Sequence, residues 1–410
     1  MKILHLVSQD NGGAGRAAIR LHLALLKQGI DSQVMVQNKT QDLPTIHSLT
    51  QTKTQKFFIP FKKALDQLPS MLYKNRHNDI FSSTFFPSNK NLLRKINEIN
   101  PDIIHLHWIN SGFIYPSDLT HFNRPIIWSL HDANPYTGGC HVVYNNCDKF
   151  KTLCYSCPFL ASNFKYDISF LNFKKKQKAY NALKLTVNGL SSWIASEAKA
   201  SALFKNKNII NIPNPIDTDI FRPIKKDIAR KILNLNCKDK ILIGFGAISG
   251  TQIKRKGYLQ LKEALEMLPN KHLYTLIVFG SSDGEKIAGI DTIFMGHLYD
   301  DTTLTLLYNS LDIFITPSLA ENLSNTIMES LSCGVPVVAF DIGGNVDMII
   351  HKTNGYLARD VSDLSYGICW ALKNLPYLSQ NAREMVIERF SYNVVAKRYI
   401  AQYQYILENL

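Results

Sequence analysis

Glu321 and Glu329 lie eight residues apart in TPSLAENLSNTIMESLSCGVPVVAFDIGG, residues 316–344, and their type and spacing suit a particular chemistry. A polar loop, Asn322-Leu323-Ser324, separates the first carboxylate from a short predicted helix that carries the second. Ser324 or Asn325 fits as its N-cap, and Gly334 stands where a left-handed residue closes a helix. At ~100° per residue, eight positions fall about 80° past two full turns, so both acids lean toward one side. Free amides at a helix start attract phosphate, and carboxylates accept hydrogen bonds from sugar hydroxyls. The expected ligand carries both. The plain alternative is an amphipathic helix with two solvent-facing acids.

A second set of residues suits the same ligand. The predicted strand 241–246 runs into a loop holding Lys254-Arg255-Lys256-Gly257, and a helix follows from Tyr258. Cations beside a glycine at a helix start suit a diphosphate. Near the amino terminus, Asp10-Asn11-Gly12-Gly13-Ala14-Gly15 is a predicted glycine-rich loop between the strand 2–8 and a helix from Arg16 to Gln28. Gly13-x-Gly15-x-x-Ala18 matches the dinucleotide fingerprint, but the next strand ends in Val36-Gln37-Asn38 without the ribose-binding acid. Small residues that let a sugar-nucleotide phosphate or an acceptor approach the backbone are the better reading. His131 stands just beyond the predicted strand 125–130, where open α/β sheets place their chemistry. His105 and His107 share one face of their own strand and read as structural.

The acidic pair and its surroundings resemble the E-x7-E signature of family four of the retaining glycosyltransferases. The resemblance implies the α/β GT-B architecture, two doubly wound Rossmann-like domains facing across a cleft, with a C-terminal helix crossing back. On this chain that gives an acceptor-side domain at 1–213, a hinge at 214–223, a nucleotide-sugar domain at 224–390 and the returning helix at 391–410. By the same resemblance Glu329 holds the ribose and Glu321 the transferred sugar. Lys256 holds the diphosphate, with Arg255 or Lys254 standing in for an arginine whose usual place is Ala247. Gly12, Gly13 and His131 meet the donor from the first domain, and Gly296 lies where the base meets backbone. The proline-rich segment 211–223 fits a hinge. Asp217-x-Asp219 within it reads as turn capping, not as a metal motif. No metal is expected in catalysis.

Cys140, Cys147, Cys154 and Cys157 place four of the seven cysteines within 18 residues, in a C-x6-C-x6-C-x2-C pattern. Clustered thiols in a reducing compartment suit a structural zinc, with His141 as an alternative ligand. Two disulfides and four unligated thiols are the other readings. A subset of the same family, active in surface-polysaccharide assembly, carries a segment similar to TGGCHVVYNNCDKFKTLCYSCP at 137–158.

Length and composition frame these readings. The 410 residues suffice for two domains, and 45% hydrophobic with 19% charged residues describes an ordinary globular chain. No apolar run reaches membrane-spanning length, and the amino terminus reads as a buried strand instead of a signal peptide. A cytoplasmic protein follows as the expectation. The net charge of +13 is partly gathered in Lys174-Lys175-Lys176 and Lys178, beside Phe170, Leu171, Phe173 and Tyr180. That pattern suits contact with an anionic membrane at its inner face, or a merely solvated helix. Nucleic acid is not an expected partner, since no recognised module is present. Residues 39 to 90 are polar, with aromatics at Phe57, Phe58, Phe61, Phe81, Phe85 and Phe86, and read as an acceptor surface or a variable excursion.

The expected activity is transfer of a sugar from a nucleotide-sugar to a glycan or lipid-linked acceptor with retention of configuration, in surface-polysaccharide synthesis. A nicotinamide-dependent oxidoreductase, a nucleotide-sugar epimerase and a non-catalytic sugar-nucleotide binder are the rivals.

Overall fold

Short apolar runs rich in Ile, Val and Leu, each closed by turn residues, become parallel strands buried on both faces. The computed structural model describes residues 1–83, 90–143, 146–235, 237 and 239–409. The chain divides into one unit of Met1–Asn214 with Val395–Leu410 and a second of Pro215–Val394.

In the first unit the strands are β1 (Lys2–Leu6), β2 (Asp31–Val36), β3 (Ile46–Ser48), β4 (Ile103–Leu106), β5 (Ile126–Leu130), β6 (Leu185–Gly189) and β7 (Asn208–Asn211). They pair in the order β3-β2-β1-β4-β5-β6-β7, all parallel. The second unit holds β8 (Ile241–Gly246), β9 (Tyr274–Phe279), β10 (Asp291–Phe294), β11 (Ile313–Thr316), β12 (Val337–Phe340) and β13 (Gly355–Ala358). Their order is β10-β9-β8-β11-β12-β13, again parallel. Each unit is thus a doubly wound sheet. Its strand order reverses beside its own first strand, at β1/β4 and at β8/β11, and ligands of such sheets bind beyond the strand ends at that reversal.

Alternation along the strands sorts the first unit's core. Leu4, Leu6, Ile104, Leu106 and Trp128 join one cluster. Val7, Val34 and Val36 face the other way, against Ala18 and Ile19 of the helix Gly12–Lys27. His5 pairs in register with His105, and both lie on this second face with His107. The C-terminal helix Tyr392–Glu408 brings Tyr399 and Tyr403 to the same face, where the Tyr403 hydroxyl and His105 Nδ1 are 2.7 Å apart.

Several expectations change. The first helix begins at Gly12, so the glycines form its first turn instead of a preceding loop. The reason is steric: a Cβ on Gly15 would stand 2.4 Å from the Gln9 carbonyl, so glycine lets the helix start against the end of β1. Residues 39–83 are not one polar excursion. They supply β3 and the helices Lys53–Phe57 and Ile59–Met71, while Phe81 is buried. Phe85 and Phe86 lie outside the described residues.

Candidate functional site

At the β8/β11 reversal two loops interlock. The segment after β8 reaches Lys256, and the segment after β11 runs through Pro317 and Ser318 to Glu321. Gly257 adopts φ +76°, and a Cβ there would lie 1.8 Å from the Pro317 carbonyl oxygen, so only glycine permits this approach. The Leu319 amide donates to the Arg255 carbonyl at 2.8 Å. Across this contact Lys256 Nζ donates to Glu321 Oε2 at 2.7 Å, with both side chains largely buried. A second clamp holds Glu321 from behind. Gly343, at φ +50°, lies so near that a Cβ would stand 2.1 Å from the Glu321 carbonyl, which accepts from the Gly344 amide.

Burial works to raise the Glu321 carboxyl, but the Lys256 ammonium, Arg255 and the Ser318 hydroxyl outweigh it and hold the group below its ordinary value. Glu321 is therefore an anion and hydrogen-bond acceptor at neutral pH, not a proton donor. Its Lys256 partner carries three N–H donors and spends one here.

Glu329 lies on the helix Asn325–Ser332, which begins at Ser324 and ends beyond Cys333 at Gly334, φ +73°. It is 1% exposed, and the Tyr308 hydroxyl donates to its Oε2 at 2.8 Å. Ser324 Oγ turns toward Thr326 Oγ1 at 2.9 Å, so its side chain does not cap the helix. Asn322 is half-buried and Leu323 buried in the loop between the two acids. Gly296, at φ +64°, follows β10 and accepts at its carbonyl from the Gly280 amide at 2.7 Å. The second unit therefore gathers Lys256, Arg255, Glu321 and Glu329 at or just behind one sheet edge. Tyr308 and Ser318 were not foreseen. Tyr308 sits 21 residues before Glu329 on another helix, and no local signal links them.

In the first unit Gly12 and Gly13 open the helix beyond β1, and Gly13 is exposed. His131 directly follows β5 and is half-buried, the last link of a buried chain. His5 Nδ1 lies 3.0 Å from His107 Nε2, and His107 Nδ1 lies 3.1 Å from His131 Nε2. Burial depresses all three. His5 and His107 fall well below the ordinary imidazole value, and burial takes His131 down to about 4 against the opposing charge of Asp132. His131 is thus neutral at physiological pH, and the chain couples its tautomer to that of His107. Asp132 accepts from Trp108 Nε1 at 2.7 Å and from the Asn134 amide at 2.9 Å, and contacts His141 Nδ1 at 2.6 Å.

Two groupings bear on metals. His5, His105 and His107 have ligand atoms within 4.8 Å of one another. They make a poor ion site. Both nitrogens of His105 are engaged, by Tyr403 and Ser129, and its ring stacks on His107 at 4.4 Å and 16°. Nearly parallel stacked rings cannot aim in-plane lone pairs at a common ion. The four clustered cysteines are all free thiols, and all four line one small cavity with Phe81, Phe150 and Phe159. His141 is not part of that lining; its nitrogens meet Asp132 and Ser82 Oγ.

Asp217 Oδ1 accepts from the Asp219 and Ile220 amides, which is a turn cap. The basic stretch 174–178 does not form one outward face. Lys176 is buried and donates to Asn134 and Thr137 carbonyls, and Phe173 and Tyr180 are in the core.

Two doubly wound parallel sheets, one with a cation–carboxylate pair at its strand-order reversal, are those of the GT-B fold class. Comparison with known proteins carries this further. The family described as Glycosyltransferase Family 4 matches residues 11–220, more than half of the chain, and that described as Glycosyl transferases group 1 matches residues 240–374. The chain belongs to Glycosyltransferase Family 4 and is a glycosyltransferase. It is 23% identical over 323 residues to an uncharacterized glycosyltransferase of Methanocaldococcus jannaschii, covering 75% of this chain and 76% of that one. It is 26% identical over 194 residues to the N,N'-diacetylbacillosaminyl-diphospho-undecaprenol alpha-1,3-N-acetylgalactosaminyltransferase of Campylobacter jejuni, covering 45% of this chain and only 50% of that protein. The solved sucrose-phosphate synthase of Thermosynechococcus elongatus superposes over 100% of both chains with a TM-score of 0.71 at 17% identity, a likeness of fold.

Proposed function

We propose that this protein transfers a hexosyl group from a nucleotide-sugar to a lipid-linked glycan acceptor, with retention of configuration, in surface-polysaccharide assembly at the inner face of the membrane. The observation that carries this is the Lys256–Glu321 pair at the β8/β11 reversal, followed one loop later by the buried Glu329. Lys256, with Arg255 beside it, neutralises the diphosphate with its remaining donors. Glu321 accepts from the hydroxyls of the transferred sugar, Glu329 from the ribose, and the Asn322-Leu323-Ser324 loop and Gly296 offer backbone to the donor. In the first unit the helix start at Gly12 and Gly13 and the neutral imidazole of His131 contact substrate. The similarity to an enzyme named for a diphospho-undecaprenol acceptor supports the lipid-linked class.

Retention follows from front-face displacement. The bond from sugar C1 to the diphosphate oxygen breaks as the bond from the acceptor oxygen to C1 forms on the same face. The acceptor proton passes to the departing phosphate oxygen, while Lys256 and helix-end amides hold the developing charge. Glu321 keeps its ion pair throughout and forms no bond to sugar. A thermal-shift screen over common nucleotide-sugars should find one that raises the melting point, because a ligand of the folded state stabilises it by mass action. Transfer from that donor, followed by NMR of the product's anomeric proton, should show the donor's configuration. A covalent sugar on Glu321, or an inverted product, would refute the mechanism.

For the cysteine cluster we propose a structural zinc. Support comes from the four thiols sharing one cavity of about 20 Å³, room for a single small ion. Among the described residues no three of these sulfurs lie mutually within 4.8 Å, so binding must draw them inward. Metal analysis of the purified chain should give one zinc, lost in Cys154→Ser/Cys157→Ser. Four freely titrating thiols without metal would end the proposal.

A further inference from the structure

Away from the sheet edges, the helices Lys53–Phe57 and Ile59–Met71 are built inside out. Phe57, Phe58, Phe61, Leu68 and Leu72 are 78%, 53%, 59%, 52% and 80% exposed. Positions 58, 61, 65, 68 and 72 advance by alternating steps of three and four, which is one face of a helix. The opposite face is the buried one, and it is polar. Asp66 and Ser70, four residues apart, are 5% and 1% exposed, and Asp66 Oδ1 accepts from the Ser83 amide at 3.1 Å. A helix that only needed to fold onto this unit in water would show the reverse arrangement. Scattered exposed apolar residues are ordinary, but a continuous stripe of this kind marks an interaction surface.

The charges say what kind of partner fits. Residues 51–74 contain five lysines, at 53, 56, 62, 63 and 74, and a single acid, Asp66, which is the residue turned inward. The outward face is thus apolar with a cationic rim, the composition of a helix lying in the plane of an anionic lipid surface. A second copy of the chain would set the same lysines against one another. No helix of the described residues is long and apolar enough to cross a membrane, so contact of this kind is interfacial.

Lys56, on the first helix, also lines a polar cavity of about 460 Å³ with Lys39, Gln41, Ser48 and Thr50, where β2 and β3 end. We propose that the helices Lys53–Phe57 and Ile59–Met71 seat the protein on an anionic bilayer, with the Phe58, Phe61, Leu68 and Leu72 stripe among the acyl chains and the lysines among the headgroups. The surface differs from the lysine helix Ile168–Asn181, where Phe173 and Tyr180 are buried and Lys176 points inward. As a docking site for a lipid-linked acceptor it rests on the reading of function above, because the polar cavity then receives a headgroup whose chain stays in the bilayer.

The test is vesicle flotation of the full chain, without donor or acceptor. Vesicles of phosphatidylcholine alone are compared with vesicles also containing phosphatidylglycerol. Wild type should float with the anionic vesicles and release as salt rises. Phe58→Ser/Phe61→Ser/Leu68→Ser should lose the binding by roughly tenfold or more, and Lys53→Glu/Lys62→Glu, at lysines one helical turn from Phe57 and from Phe58 and Leu65, by a similar factor. Both variants should keep the wild-type melting point and the wild-type thermal response to the stabilising nucleotide-sugar. Failure of wild type to float overturns the proposal, as does undiminished flotation of the serine variant. So does a dimer in solution that the serine variant converts to monomer, which would make a second copy the occupant. Flotation that persists in a protein found to transfer no sugar counts against the reading of function and leaves the surface standing.

Discussion

Lys256 and Glu321 neutralise each other in the absence of ligand, so each prepares the other for a different part of a sugar diphosphate. Glu321→Gln removes the charge but keeps the shape. It should lower kcat/KM by roughly a hundredfold or more, and it should also cost about 1–3 kcal/mol of stability, because it leaves the largely buried Lys256 ammonium without its counter-charge. Tyr308→Phe removes one hydrogen bond to buried Glu329 and should cost about 0.5–1.5 kcal/mol of stability, measured by denaturant unfolding, with a higher donor KM. The histidines make a prediction of their own. Burial takes His22 and His131 to about 4 and His105 to about 3, whereas unfolded imidazoles titrate near ~6.5. Between those values the unfolded chain binds more protons, so stability must fall as pH drops from about 6.5 toward 4. Each buried imidazole contributes up to about 1.4 kcal/mol per pH unit over that window. Unfolding midpoints followed across it should slope more steeply than one proton allows, and His105→Gln should flatten the slope.

Among the elements, the loops at the β8/β11 reversal depend on two glycines more than on any side chain. Gly257→Ala would place a methyl against the Pro317 carbonyl and force a left-handed backbone on alanine. It should separate Lys256 from Glu321 and abolish the donor-induced thermal shift, with a stability loss of roughly 2–4 kcal/mol. Gly12 is also left-handed, yet a Cβ there meets nothing within 4 Å. Gly12→Ala should therefore cost only backbone strain, about 1 kcal/mol by chemical denaturation. The contrast between these two alanines separates close approach from conformation as the reason for glycine.

At the scale of the whole molecule, the last sixteen residues belong to the unit formed by the first 214. The Tyr399 hydroxyl accepts from Asn188 Nδ2 at 2.8 Å, and Tyr403 meets His105, all within the buried polar layer behind β1, β4, β5 and β6. A chain ending at Val394 would expose that layer and leave His105 and Asn188 short of partners. Limited proteolysis of the truncated chain should cut the first unit readily and spare the second, whose sheet, core and Lys256–Glu321 pair lie within Pro215–Val394. Equal resistance of both units would show that the terminal helix is dispensable.

The acidic pair, the basic loop and the strand–helix alternation were legible because each rests on local chemistry: capping residues, apolar runs and glycines at turns. The strand predicted at 241–246 has the same limits in the fold, since an apolar run closed by glycine specifies its own end. Short β3 and β7 carried too few apolar residues to stand out, and only pairing with a neighbouring strand makes them strands. The sequence placed Lys256 near a helix start, yet it could not join it to Glu321, 65 residues away, because that bond exists only where β8 and β11 lie side by side. In the same way, the phenylalanines at 57, 58 and 61 were visible as residues, but which side of a helix faces inward is settled by what packs beneath it. Here that is Asp66 and Ser70, and the tertiary structure alone turned the apolar side out.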